Sequence, residues 1–398
     1  MSLYRIQIKP LTAFGSPLLG DMLFGQMCCA IAEQQGKDRL RELLDGYQDG
    51  HPFCVISDAF PAGFLPLPSL PSFFWNLPSG QAQGEQDQAG AEYAAIRKEL
   101  KKKIWLPVQE LCKGKVDPKD WRNQAKTEKD LFFGLKMAAD QIYPATYTEA
   151  EKQALTQLQM KPGQLRSEVR GPHVVKAITA YDVVMHNTIS RITSTTGEDE
   201  FAPYTMTNLW YRKGQLLDLY VVLGESGQGF SLGELHDALD YVGRTGFGRD
   251  ASVGLGKFEL AVRDRDDFCA LKPVGSADGL AKLLEPSETK MTLASSVLSG
   301  QPEIVQGRTF YRARTHFGRH GGVSAIQGAP FKSPILLASR GAVVSFRQKC
   351  DGLIVGRGIS GISNVQPETV HQGYSPVVSI PEINLSPVVS TPEVNLEK

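Results

Sequence analysis

The stretch Ser231–Val262, SLGELHDALDYVGRTGFGRDASVGLGKFELAV, decides how the chain is read. Ser231 with Glu234 forms a capping box, in which each side chain bonds the other residue's backbone N–H at a helix start. Leu232, Leu235, Leu239 and Val242 then recur at helical spacing. The helix runs into a glycine-rich loop, 243–256 (GRTGFGRDASVGLG), and Lys257–Val262 reads as a strand. Helix, glycine loop and strand make the closing half of an α+β unit.

The opening half stands at the other end of the unit. Tyr4, Ile6 and Ile8 alternate with Arg5, Gln7 and Lys9, the pattern of a half-buried strand. Ser16-Pro17 offers an N-cap with proline at the first helical position. Leu19, Leu23, Met27 and Ile31 follow at helical spacing, Gly36 is a C-terminal stop, and Phe53–Ile56 is a second strand. Strand, helix, strand fits the ferredoxin-like type of α+β sandwich. This unit is expected over 1–265, and a second over 266–380 with strands near 290–297, 308–314, 334–346 and 353–360.

Other segments have their own signatures. Pro61, Pro66, Pro68, Pro71 and Pro78 make 60–78 irregular and extended. Residues 79–92 (SGQAQGEQDQAGAE) lack large apolar groups and read as the flexible start of an insertion, 79–130. Residues 97–103 (RKELKKK) are a positive run, either a solvated helix face or a phosphate-contacting patch. From Tyr181 the chain alternates, passes a polar turn at Thr195–Glu200 and alternates again over Tyr204–Tyr211, which predicts a long hairpin. The tail repeats itself: 375–385 (SPVVSIPEINL) recurs as 386–396 (SPVVSTPEVNL). Its prolines oppose both helix and central strand, so one copy is expected at a sheet edge and 381–398 as a flexible tail.

Composition sets outer bounds. The chain has 398 residues, 41% hydrophobic and 22% charged, an ordinary globular balance whose length suggests two domains. Lys+Arg and Asp+Glu both total 43, so no chain-wide basic field holds long duplex DNA, although a local basic groove is compatible. The six cysteines show no CxxC pair and no zinc spacing, and read as thiols in a reducing cytosol. No apolar run approaches roughly 18 residues, and MSLYRIQIKP lacks a signal peptide's apolar core. A soluble cytoplasmic protein without a membrane partner is expected.

The loop at 243–256 carries the clearest chemistry. It holds five glycines with Arg244 and Arg249, and Lys257 follows. Glycine lets a ligand approach the main chain, so amides face phosphates while arginine forks bind them bidentately. A simple turn from helix to strand needs far fewer glycines. A Walker loop is excluded, because Ala251 stands where its first glycine belongs and Phe258 where its Ser/Thr belongs. Gly356-Arg-Gly358-Ile-Ser-Gly361 matches a dinucleotide fingerprint, but Pro367 follows instead of a helix-forming stretch.

His186 and Arg191 differ by an odd number, so in a regular strand they face opposite sides. A metal-independent ribonuclease would need a histidine base with a second cationic group. None of the seven histidines has a spacing that compels such a pairing. His236-Asp237 lies in the capped helix with no further ligand pattern. No metal, cofactor or small-molecule substrate is expected, and no catalysis.

Five motifs in order give the chain a family likeness: Phe14-Gly-Ser-Pro17 with Asp21-Met-Leu-Phe-Gly25, Ser57-Asp-Ala-Phe-Pro61-Ala-Gly63 with Leu65-Pro66, His186-Asn-Thr-Ile-Ser-Arg191, Gly248-Arg-Asp-Ala-Ser-Val-Gly-Leu-Gly256 and His371-Gln-Gly-Tyr-Ser-Pro376. Together they resemble the RAMP superfamily, and within it the fourth-subunit family of type III-A CRISPR (Csm) effector complexes, over about 12–380. The resemblance implies two tandem ferredoxin-like (RRM/RAMP) folds with a glycine-rich loop at 246–256, a β-hairpin thumb at about 181–212 and a C-terminal strand at 371–380. It implies a non-catalytic subunit that anchors the repeat-derived 5′ tag of the guide RNA. The implied protein partners are the large signature subunit, which carries polymerase-like and HD domains, and the RAMP backbone subunit.

Residues expected at the RNA are Ser16, His186, Asn187, Arg191, Arg244, Phe247, Gly248, Arg249, Ala251, Ser252, Gly254, Gly256, Lys257, His371 and Tyr374. Phe247 and Tyr374 are the stacking candidates, and core packing is an equal option for Tyr374. The alternative is a metal-independent RAMP endoribonuclease that processes guide RNA.

Overall fold

The computed structural model describes residues 1–76, 95–114, 116–134, 177–191, 194–197, 202–224, 229–261, 280–321 and 330–383. The 79–92 segment, the 265/266 boundary and the second tail copy lie outside them. In chain order the main elements of the first half are β1 (Ser2–Pro10), α1 (Gly20–Gln34), α2 (Lys37–Leu44), β2 (Cys54–Ile56), β3 (Phe60–Pro61), β4 (Phe64–Pro66), β5 (Trp105–Pro107), β6 (Thr179–His186), β7 (Tyr204–Tyr211), β8 (Leu217–Leu223), α3 (Leu232–Thr245) and β9 (Phe258–Leu260), with short helices at Val108–Lys113, Trp121–Gln124 and Glu128–Gly134 between β5 and β6. The second half runs β10 (Ser287–Thr292), β11 (Ala313–His316), β12 (Ile335–Ala338), β13 (Val343–Cys350), β14 (Ile354–Gly356) and β15 (Tyr374–Ser379).

The first sheet has the order β2-β8-β1-β9, with β3 also on β8. Its ladders are antiparallel, Ile6 facing Leu219 and Ile8 facing both Leu217 and Leu260. With α1 after β1 and α3 before β9, this is the strand order of a ferredoxin-like unit. β8 is buried along its whole length, so it reads Leu-Asp-Leu-Tyr-Val-Val-Leu without alternation. The one carboxylate in that run, Asp218, accepts hydrogen bonds from Gln7 Nε2 (2.9 Å) and the Gly63 N–H (2.8 Å). Burying a charge without such partners is costly.

Ser16 does not cap α1. The helix begins at Gly20 with Leu19 as N-cap. A Cβ on Gly20 would lie 2.2 Å from the Ile56 carbonyl oxygen, so only glycine lets α1 lie this close to β2. The Gly20 N–H donates to Asp58 Oδ1 at 2.9 Å, which supplies the cap from across the fold.

The second sheet has the order β13-β10-β15-β14. Numbered among this sheet's own four strands this is 2-1-4-3, and no α-helix lies among the described residues of 280–383. The ferredoxin-like description therefore fits the first sheet and does not extend to the second. β15 also corrects the reading of the tail. Residues 375–379 of the first repeat copy lie in an inner, fully buried strand despite Pro376. Pro376 stands opposite Ile354 of the three-residue β14, and its missing donor is covered by neighbours: the Val377 N–H donates to the Leu353 carbonyl oxygen at 2.9 Å. The Pro376 carbonyl oxygen still accepts the Leu293 N–H at 2.9 Å.

Much of 95–131 is folded in rather than loose. β5 pairs with β4, and Trp105, Leu106 and Trp121 join the main buried cluster. That cluster also takes Met291, Val343, Tyr374 and Val378 from the second sheet, so apolar packing is continuous across the two halves. Polar ties cross the same boundary. Arg340 Nη1 lies 3.0 Å from Asp58 Oδ2. Gln372 Oε1 accepts the Ile56 N–H (2.9 Å), and its Nε2 donates to the Ile56 carbonyl oxygen (2.7 Å).

Candidate nucleic-acid interface

The site grows from α3. Glu234 Oε2 accepts the Ser231 N–H at 2.8 Å, and Ser231 Oγ accepts the Glu234 N–H at 3.2 Å, as the capping box predicts. At the other end Gly246 caps the helix with φ +104°. The loop's stem is then zipped to residues 11–13: the Gly256 N–H donates to the Ala13 carbonyl oxygen (2.7 Å), and the Lys257 N–H to Thr12 Oγ1 (2.9 Å). Gly256 has φ +73°, and a Cβ there would lie 2.0 Å from the Phe247 carbonyl oxygen.

The loop's apex is pinned as well. The Gly248 N–H donates to Gln26 Oε1 and the Arg249 N–H to Ser16 Oγ, each at 3.2 Å. Ser16, expected at the RNA, meets the loop through a hydrogen bond that leaves the Arg249 amide engaged. Beyond lies a single 3-10 turn, Ala251–Val253, with Gly254 at φ +97°. Ser252 is exposed there, and Val253 is 78% exposed. Arg244 is exposed and paired with Asp240 at 2.9 Å, and Lys257 is half-buried.

Arg249 joins the loop to the hairpin. Its Nη2 donates to the Thr207 carbonyl oxygen (2.8 Å) and to Asn208 Oδ1 (2.9 Å), its Nη1 touches Met206 Sδ, and its Nε pairs with Asp250 Oδ2 at 3.3 Å. A Cβ on Gly15 would lie 2.5 Å from the Arg249 carbonyl oxygen, so that glycine permits the approach. The guanidinium positions the hairpin, and its donors are largely occupied by protein.

The hairpin is β6 on β7, antiparallel from Thr179↔Tyr211 to His186↔Tyr204. Its base is fastened by reciprocal bonds between Phe14 and Leu209, both 2.8 Å. Directly opposed residues share a face. Asn208 with Asp182, Met206 with Val184, and Tyr204 with His186 lie on the face that Arg249 touches. Tyr181, Val183 and Met185 point the other way and are 63%, 62% and 73% exposed. The His186 ring stacks on Tyr204, centroids 5.3 Å apart at 12°. Asn187 and Arg191 are exposed just beyond β6.

Two stacking candidates fall. Phe247 is fully buried, 6.4 Å from the Phe14 ring. Tyr374 is 2% exposed, its hydroxyl donates to the Tyr47 carbonyl oxygen at 2.9 Å, and its ring meets Tyr47 edge-on. Both rings carry core packing, which sequence periodicity in a glycine-rich loop and a repeat does not reveal. Tyr204, Asn208 and Gln26 were missed. Tyr204 had a signal as the first residue of the hairpin's return run.

His371 does not join the loop either. It is 5% exposed and lies with Asp21 of α1 and His316 of β11. Burial, then the charges of Arg314 and Lys332, push the His316 pKa down to about 4. Burial, then His316, Lys332 and Arg314, push that of His371 down to about 3. Burial raises that of Asp21 against the pull of Arg314.

No family model matches the chain, and no curated protein does. Solved structures do. A crystal structure of a Csm3-Csm4 subcomplex in the type III-A CRISPR-Cas interference complex matches with TM-score 0.50 and 12% identity, covering 96% of this chain and 100% of that chain. A Csm1-Csm4 cassette in complex with pppApA matches with TM-score 0.44 and 14% identity over 96% of this chain and 100% of that chain. The first of these shows the fold: the chain is an α+β protein with a Csm4-like fold. No helix among the described residues is long and apolar enough to cross a membrane.

Proposed function

We propose that this chain is the RNA-gripping fourth subunit of a type III-A effector complex. It anchors the 5′ tag of the guide RNA, docks the large signature subunit and the RAMP backbone subunit, and does no chemistry itself. The Csm3-Csm4 fold likeness supports a place in such a complex. The observation that carries the RNA reading is the Arg249 bridge, which holds an exposed hairpin beside an exposed glycine-loop turn. Single-stranded RNA is read by stacking splayed bases and gripping phosphates. The His186–Tyr204 stack offers an aromatic platform, and each stacked base contributes about 1–3 kcal/mol. Arg191, Arg244 and Lys257 supply charge near the hairpin end and the loop.

The test is binding of a labelled tag RNA by intact complexes carrying Arg191→Ala or Tyr204→Ala. Weakened binding in both supports the assignment. Unchanged binding in both at two salt concentrations sinks it. Incubation with repeat RNA separates the alternative: specific cleavage abolished by His186→Ala would make the chain a processing endoribonuclease.

A further inference from the structure

Asp21, His316 and His371 converge inside the fold, and nothing in the proposed RNA grip uses them. Asp21 Oδ2 lies 3.4 Å from His316 Nδ1 and 3.7 Å from His371 Nε2. The three ligand atoms all fall within 4.8 Å of one another. A tetrahedral zinc with bonds of about 2.0–2.1 Å sets its ligand atoms about 3.3 Å apart. Two carboxylate–imidazole separations are therefore already near that spacing.

The lone pairs point the same way. His316 Nδ1 lies 3.1 Å from Arg314 Nη2, a group that only donates, so Nδ1 is an acceptor. It faces Asp21 Oδ2, another acceptor, and a cation between them relieves the repulsion, as a shared proton also would. Arg314 does this in part: its Nη1 is 3.3 Å from Asp21 Oδ2 and 2.9 Å from Ser295 Oγ. It leaves His371 Nε2 without any hydrogen-bond partner, in a side chain 5% exposed and turned towards the same oxygen. A buried polar nitrogen left unsatisfied costs about 1–3 kcal/mol.

We propose that Asp21 Oδ2, His316 Nδ1 and His371 Nε2 form a zinc site, with Arg314 as the competing cation that withdraws towards Ser295 when the metal binds. Two imidazoles and a carboxylate suit zinc better than magnesium or calcium, which prefer all-oxygen sets. The site ties α1 in the first half to β11 and to the segment before β15, so the ion staples the two halves. It is independent of RNA binding.

The test titrates the full-length chain with zinc chloride against a chromophoric chelator, with metal content measured after desalting. One equivalent per chain is expected, with a rise in melting temperature. His371→Asn should weaken zinc at least about tenfold, and Arg314→Met should tighten it. Circular dichroism confirms that each variant is folded. The proposal is overturned if wild type retains no zinc, if His371→Asn binds it as well as wild type, or if Arg314→Met fails to tighten it.

Discussion

The side chain of Gln372 pairs with both backbone groups of Ile56, accepting from its N–H at 2.9 Å and donating to its carbonyl oxygen at 2.7 Å. A side-chain amide thereby completes the outer edge of β2. Gln372 is fully buried, so nothing else reaches those groups. Gln372→Ala is expected to destabilise the chain by roughly 2–4 kcal/mol, because two buried backbone groups lose their partners. Gln372→Glu should do the same or worse, since a carboxylate cannot donate to the carbonyl. Urea denaturation monitored by circular dichroism measures both, and a loss under 1 kcal/mol for Gln372→Ala would show that the edge is not closed this way.

Gly256→Ala adds a methyl group where only 2.0 Å separates it from the Phe247 carbonyl oxygen, at φ +73°. The left-handed conformation alone costs an alanine about 1–2 kcal/mol, and the clash forces the loop off residues 11–13. Hydrogen exchange should accelerate at the amides of Phe247, Gly256 and Lys257. Gly254→Ala, with open space around its Cβ, should disturb only the exposed turn.

Arg191 and Arg249 should behave differently in tag binding. Arg191→Ala removes an exposed charge and should shallow the salt dependence by about 0.7 in slope for one lost phosphate contact. Arg249→Ala releases the hairpin and should weaken binding while leaving that slope unchanged. Equal slope changes would mean that both guanidiniums touch phosphate.

Glu234 gives a pH signature. Burial works to raise its pKa, but the Ser231 N–H and the Arg39 guanidinium, 2.9 Å away, outweigh it and hold the pKa below the usual value. A carboxylate depressed in the fold contributes stability above its unfolded pKa, and loses it as pH falls through the folded one. Glu234→Gln should therefore narrow the stability gap between pH 7 and acid pH, measured by thermal melts. Ser231→Ala should cost about 1 kcal/mol at both pH values.

Local signals carried the fold's first half. The capping box, the helical leucines and the β1 alternation each depend on neighbours within a few residues, and α3, β1 and α1 lie where those patterns put them, α1 starting a few residues later. The hairpin was legible for the same reason. What failed depends on distant partners. Phe247 sits among polar and glycine residues in sequence, yet Phe14 closes over it. Asp21 and His371 stand far apart in the chain and meet only because β11 and the 371–373 segment pack on α1. Pro376 looked incompatible with an inner strand, and only a three-residue neighbour makes it acceptable.

The inner position of β15 constrains how the protein is made. β10 cannot acquire its second neighbour until Tyr374–Ser379 has been synthesised, about eighty residues later. At ordinary translation speeds that is a delay of several seconds. Throughout that interval Ile56 lacks Gln372, and the nascent first sheet presents an uncovered apolar flank. Closure of the two halves over one apolar core is therefore a late event, because it needs the inner strand that ends at Ser379.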